Sequence, residues 1–288
     1  MENRKKIEYH IVPFLKEKVR LQDYPIGFFK SITTKSALKK TLKKGLIFLN
    51  SKKASSSDFL KPDDLLELFQ DPNKKNRPTI KIVLEIIFED EHLALVNKPA
   101  GITVSGNKKW TLENALSSNL TKSNQKDALD QPEPIHRLDH PTSGIILIGK
   151  TSSAVIALNK TFENREIQKK YLAVTIGKQN TEGTIETPVD DKKSKSYFKV
   201  LKTISSEKFE FLNLVELIPE TGRKHQLRKH LASIGNPILG DKEYFIENKV
   251  LFGNGLYLHA HALTFYHPVT SEEKKFTATP PKKFKRLF

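Results

Sequence analysis

Residues 136–150 read HRLDHPTSGIILIGK. Four side chains able to carry charge or move a proton, His136, Arg137, Asp139 and His140, run straight into the apolar residues 145–148. That run is rich in β-branched residues and bracketed by Gly144 and Gly149, which predicts a strand covered on both faces. A carboxylate mounted at the mouth of a core strand is rigidly held, as a reacting carboxylate must be. On these residues alone the alternative stays open that Asp139 and Arg137 form a buried ion pair fixing a turn.

A second dense stretch, ETGRKHQLRKHLASIGNPILGDKEY, begins at Glu220. Leu227, Leu231 and Ile234 recur at i, i+4 and i+7, predicting a helix over 224–234 that ends at Gly235. Arg228 lies about 100° round from Leu227, at the edge of the apolar stripe, from which it can reach inward. Metal chemistry finds little support. His259-x-His261 would share a strand face, but it lacks an acid at a recognised spacing, and His225 and His230, five apart, point to different helix faces. No metal is expected, and no G-x-S-x-G turn offers an activated serine. Carboxylate chemistry without metal or cofactor remains, with Asp139 kept ionised by Arg228 or Arg137.

These residues need elements to position them. In SALKKTLKKG, Leu38 and Leu42 share a helix face while Lys39, Lys40, Lys43 and Lys44 occupy the rest, and Gly45 caps the end. LIFLNSKKA predicts a strand and a turn at Asn50-Ser51, and FLKPDDLLELF a turn at Pro62-Asp63 followed by a short strand. DPNKKNRPT, residues 71–79, is polar and aperiodic and reads as a linker. Residues 80–104 give two apolar runs about an acidic turn, the second ending in Asn97-Lys98-Pro99-Ala100-Gly101, a loop shaped by its Pro and Gly. Helices are expected near 111–120 and 152–164, a strand from Lys169 that carries Tyr171, strands at 198–200 and 209–218, and a closing strand in LYLHAHALTFYHP. Residues 1–13 give no signal, and 121–134 and 178–197 read as loops. Strands outnumber helices and no β-α-β alternation is present, so the fold class is α+β: a largely antiparallel sheet with flanking helices.

The 288 residues include no Cys, which excludes disulfides and thiol catalysis. The first ten residues have no apolar core of a secretory signal, and no long apolar run exists to cross a membrane. A cytoplasmic protein is expected. Lys and Arg number 49 against 33 acids, a net charge of +16. Residues 1–80 hold 18 basic and nine acidic residues, more than half of that excess in just over a quarter of the chain. Such a field favours a polyanion, chiefly through phosphate contacts.

HRLDHPTSGIILIGK resembles the signature of the RluA-type family of pseudouridine synthases. EDEHLALVNKPAGITV, KKYLAVTIG, TGRKHQLRKHLASIGNPILGDKEY and LHAHALTFYHPVT are similar to that family's opening, tyrosine, arginine and closing segments, in the same order. The basic helix and hairpin ahead of them resemble an S4-type RNA-binding domain, with Ser51 where that turn usually has Gly. The chain is thus divided into an S4-like domain (1–70), a linker (71–79) and a catalytic domain (80–288). The resemblance implies that specific uridines of structured RNA, ribosomal more than transfer RNA, become pseudouridine without cofactor after base flipping. It makes Asp139 the catalytic carboxylate, Tyr171 the residue that stacks on the displaced base, and Arg228 the partner of Asp139. Arg137 fills the vacated space, Leu227 packs against the pocket, and His136, Lys98, Arg223, Lys39, Lys40, Lys43 and Lys44 contact RNA. No protein partner is implied. The chain departs from the family pattern at His140-Pro141. Two other readings remain: an inactive S4-type RNA-binding protein, and a metal-dependent hydrolase built on His259 and His261.

Overall fold

The computed structural model describes residues 5–73, 78–251 and 253–288. Residues 74–77 of the expected linker, and the first four of the N-terminal stretch, lie outside the described residues. Near the N-terminus, β1 (Lys6–Ile11), β2 (Val19–Arg20), α1 (Lys35–Lys43), β3 (Ile47–Leu49), β4 (Lys52–Lys53), β5 (Phe59–Leu60) and β6 (Leu65–Phe69) follow one another. Four of the strands form an antiparallel sheet in the order β1-β6-β3-β4. Thr34 starts α1 by accepting a hydrogen bond from the Ala37 amide, and Leu38 and Leu42 turn inward. Leu21, Phe29, Ile47, Leu60 and Leu66 complete a core of their own. Asn50 and Ser51 both have positive φ, the conformation of a two-residue hairpin turn, with Ser51 adopting it where glycine would do so more cheaply.

The larger sheet begins with β7 (Glu85–Glu89), β8 (Leu93–Lys98), α2 (Leu112–Leu116), β9 (Ala128–Pro134), β10 (Ser143–Thr151) and α3 (Ser152–Glu163). It continues with β11 (Gln168–Ile176), β12 (Glu182–Ile185), β13 (Ser196–Ser206), β14 (Glu210–Pro219), α4 (Gln226–Ser233), β15 (Leu258–Tyr266), β16 (Glu273–Thr277) and α5 (Lys282–Lys285). The order is β12-β13-β14-β11-β15-β10-β8-β7, with β16 on β15 and β9 on β10. Among the strands of the described residues, β10 and β15 alone pair in parallel.

All nine residues of β10 are buried. Ile146 and Ile148 face α2, among Leu112, Ala115 and Leu116, whereas Ile145 and Leu147 face Leu158 of α3 and Phe265. This double burial explains why the strand reads as a continuous apolar run. Where β10 meets β15, Gly144 has φ of 120° and a Cβ there would stand 2.3 Å from the Ala260 carbonyl oxygen, so only glycine fits. Leu227 and Leu231 seat α4 on Val215, Leu217 and Leu258. Ile234 falls on the C-cap and is exposed, one turn short of the expected stripe.

Two expectations are corrected, and one stretch that gave no signal is structured. Residues 121–134 are not a loop throughout: β9 runs along β10 with broken register. Its sequence, ALDQPEP, has no alternation and two prolines, tolerable because β9 lies off the main path of the sheet. Residues 178–197 include β12, and residues 1–13 include β1 at a sheet edge.

Candidate active site

The turn that carries Asp139 closes with the Thr142 amide donating to the Asp139 carbonyl (3.1 Å) and is anchored by buried Leu138. The loop after β8 is tied to it, since the Gly101 amide donates to the His140 carbonyl at 2.9 Å. Beneath both lies Lys98, fully buried, whose ammonium donates to the carbonyls of Pro99 (2.9 Å), Ile102 (2.9 Å) and His140 (3.4 Å). Burial pushes this ammonium down to about 8, against the pull of the Asp139 carboxylate. Lys98 therefore holds the turn together from within and does not face RNA, correcting the expectation of a substrate contact.

His136 is corrected too: it is only half-buried, but its ring is engaged with the core and not with the cavity. Its Nε2 accepts the Leu147 amide of β10 at 3.1 Å, and its ring stacks on Phe162 with centroids 4.9 Å apart. Burial, helped by the Lys169 charge, pushes the imidazole down to about 3, so it is neutral at physiological pH. A Nε2 that accepts leaves the proton on Nδ1. The residue fastens the start of the HRLD segment to the core strand.

Asp139 opens onto a cavity of about 400 Å³ lined by Arg137, Lys169, Tyr171, Arg223, His225, Leu227 and Arg228, among others. Tyr171 comes from β11, at a break in register against β15 between Lys170 and Tyr171. Burial raises its phenol, and the Asp139 carboxylate raises it further, so the ring enters the site with its proton on. Lys169, two residues earlier on the same strand face, joins Arg137, Arg223 and Lys224 in giving the cavity a positive rim. Among the described residues, no ion pair joins Arg137, which is exposed, to Asp139.

Arg228 is 2 % exposed and comes within 4.0 Å of Asp139, its NH1 facing Oδ2. Its main partner is different. Nε and NH2 each donate to the buried Asp241 carboxylate at 2.7 Å, and NH2 also donates to Glu243 at 3.1 Å. Burial alone would lower the guanidinium, but the hydrogen bonds and charges of Asp241 and Glu243 outweigh it and hold it above its ordinary value. NH1, also buried, has no hydrogen-bond partner among the described residues. The expected Asp139–Arg228 pair is thus a long contact made by the one guanidinium nitrogen left free, with the charge already compensated behind it. A buried donor without a partner is costly, which sets NH1 apart from the other two nitrogens of the guanidinium.

Gln226 shapes the approach to α4. Its Oε1 accepts from the Thr221 hydroxyl (2.7 Å) and the Arg223 amide (3.0 Å), and its Nε2 donates to the Lys195 carbonyl and the Ser196 hydroxyl, both at 2.9 Å. His225 then enters with φ of 57°. His259 and His261 both donate to the Ala278 carbonyl, at 3.2 and 2.9 Å, and His259 also meets the Ser143 hydroxyl at 2.9 Å. His259 Nε2 and His261 Nδ1 thus join β15 to the segment after β16, and His259 Nδ1 joins it to β10. No group of three or more His, Cys, Asp or Glu able to hold a metal occurs among the described residues.

Lysines of α1 divide between two grooves. Lys39 and Lys43 line one with Gln22, Lys53 and Ser55, while Lys40 and Lys44 line another with Lys5, Lys30 and Asp130 of the larger unit. Lys44 is paired with Asp71 at 2.6 Å, so its charge is partly spent. Sequence reasoning missed Asp241, Glu243, Tyr244 and Lys169 and weighed His225 only as a metal ligand. The i, i+2 relation of Lys169 to Tyr171 was the one available signal, since Asp241 and Glu243 meet Arg228 only through the fold.

A family model described as RNA pseudouridylate synthase matches residues 92–233. The chain is 30% identical over 287 residues to the ribosomal large subunit pseudouridine synthase C of Rickettsia bellii, covering 89% of this chain and 93% of that one. It is 36% identical over 214 residues to the dual-specificity RNA pseudouridine synthase RluA of Haemophilus influenzae, covering 70% and 95%. Among solved structures it is similar to human RNA Pseudouridylate Synthase Domain Containing 4, with 25% identity, a TM-score of 0.58 and coverage of 70% and 90%.

Proposed function

Since the chain belongs to the RNA pseudouridylate synthase family and is an isomerase acting on RNA, we propose that it converts uridines of ribosomal RNA to pseudouridine with Asp139 as the reacting carboxylate. The observation that carries this reading is the Asp139 cavity, with the neutral Tyr171 ring on one wall, a buried guanidinium nitrogen 4.0 Å from the carboxylate, and a rim of four cations. A uracil inside a helix is out of reach, so the nucleotide must be swung out into such a cavity. Tyr171 offers the face on which the base stacks, Arg137 fills the place it leaves, and the rim cations hold the flanking phosphates. Leu227 closes the apolar side of the cavity.

The N-terminal sheet with its lysine-faced α1 acts as an S4-like RNA-binding unit, residues 71–79 connect it, and the catalytic unit begins near Ile80. Ribosomal RNA is favoured because the relatives matched over most of this chain include several named for the large ribosomal subunit. The protein works in the cytoplasm, where that RNA is. Among the described residues no helix is long and apolar enough to cross a membrane.

The test is to incubate the full-length protein with total RNA from cells that lack it, then map pseudouridines at nucleotide resolution. New pseudouridines are expected in ribosomal RNA. Their appearance only in transfer RNA would overturn the choice of substrate, and their absence everywhere would overturn the activity.

A further inference from the structure

We propose that His225 is a positioning residue of this site, fixing one oxygen of the Asp139 carboxylate while Arg228 addresses the other. The inference rests on the reading of Asp139 as the reacting group. His225 Nε2 lies 3.7 Å from Asp139 Oδ1, and Arg228 NH1 lies 4.0 Å from Oδ2. With a donor facing each oxygen, the carboxylate has one preferred rotation. Both distances exceed a formed hydrogen bond, as is common before substrate closes a site.

The backbone points the same way. His225 is the N-cap of α4, a position where a short polar side chain normally caps the helix, yet its side chain makes no cap hydrogen bond. Its φ of 57° is a conformation that non-glycine residues adopt at some cost and that recurs at functional sites. In return the imidazole reaches the cavity and meets Tyr244, whose hydroxyl lies 3.1 Å from Nδ1. Burial raises the Tyr244 phenol, and a phenol that donates to Nδ1 leaves the imidazole proton on Nε2, facing Asp139. Glu243 Oε2 also lies 3.4 Å from Nδ1, farther than the Tyr244 hydroxyl and on a carboxylate that is more than half exposed, while its Oε1 is bonded to Arg228.

One loop supports both arms. The Tyr244 ring lies under the Arg228 guanidinium, 5.0 Å from its carbon, and its amide donates to the same Asp241 oxygen that receives Arg228 NH2. Residues 240–244 therefore act as a brace that sets His225 and Arg228 against Asp139 together.

Single-turnover conversion, on an RNA that the wild type modifies, tests this. His225→Asn keeps a residue tolerant of positive φ and able to cap the helix, so the fold survives. It is expected to turn over about 10- to 100-fold more slowly, as loss of an orienting partner does elsewhere, with RNA affinity unchanged within about threefold. Tyr244→Phe slows the wild type by less and adds nothing in the His225→Asn background, because its hydroxyl acts through the imidazole. His225→Gly, equally at ease at this φ, recovers rate when free imidazole is added. A His225→Asn rate within about twofold of wild type, or a slow glycine variant that imidazole does not restore, would overturn the proposal. Asp139→Asn, run alongside, separates the two ideas: its inactivity upholds the catalytic reading whatever His225 does, and its activity would bring down that reading itself.

Discussion

Asp139 is held by groups that a linear reading could not weigh. The sequence placed Asp139, Tyr171 and Arg228 in separate segments, and the fold brings them to one cavity. What the sequence left out is the company Arg228 keeps, because a carboxylate 13 residues away at Asp241 becomes its partner only once the loop after α4 folds back. Removing that partner is expected to be severe: Asp241→Asn leaves a buried guanidinium short of charge and costs about 3–5 kcal/mol of stability by urea denaturation. A loss under about 1 kcal/mol would show that Arg228 is held by something else. His136 gives a pH signature. The unfolded chain takes up its proton near the ordinary 6.5, whereas the native fold resists until about 3. Stability from this residue is therefore lost as pH falls through that window and changes no further below it. His136→Gln should lose less stability than wild type between pH 7 and pH 4.5, and equal losses would contradict the neutral, strand-bound imidazole.

Elements with strong periodicity were legible: α1, α3, α4, the buried β10 and the alternating β15 stand where apolar spacing put them. β9 was not, because its residues satisfy the edge of β10 with backbone groups while its side chains carry no pattern. β12 escaped for the same reason, four residues paired to a longer neighbour. The crossing of β10 and β15 explains a glycine that sequence could only mark as a bracket. Gly144→Ala must both hold a positive φ and push back the Ala260 backbone. It should cost about 3 kcal/mol or more, and because Asp139 stands just ahead of β10, turnover should fall in the remaining folded protein. Wild-type stability in this variant would mean that the two strands are not so close.

Across the whole molecule, the excess of positive charge was plain from composition, but its distribution was not. Two grooves share the lysines of α1, and one of the four is tied to Asp71. Replacing Lys39, Lys43 and Lys53 by Gln should therefore reduce the slope of log affinity against log salt by about two to three, whereas Lys44→Gln alone should change it by well under one. An unaltered slope in the triple variant would place the RNA elsewhere. The chemistry converges on one carboxylate, and the most direct measurement is pseudouridine formation by full-length Asp139→Asn under single-turnover conditions, with RNA binding followed in parallel. Product below about a thousandth of the wild-type rate is expected, with affinity within a few-fold because phosphate contacts dominate it. Turnover near the wild-type rate in that variant would contradict the account.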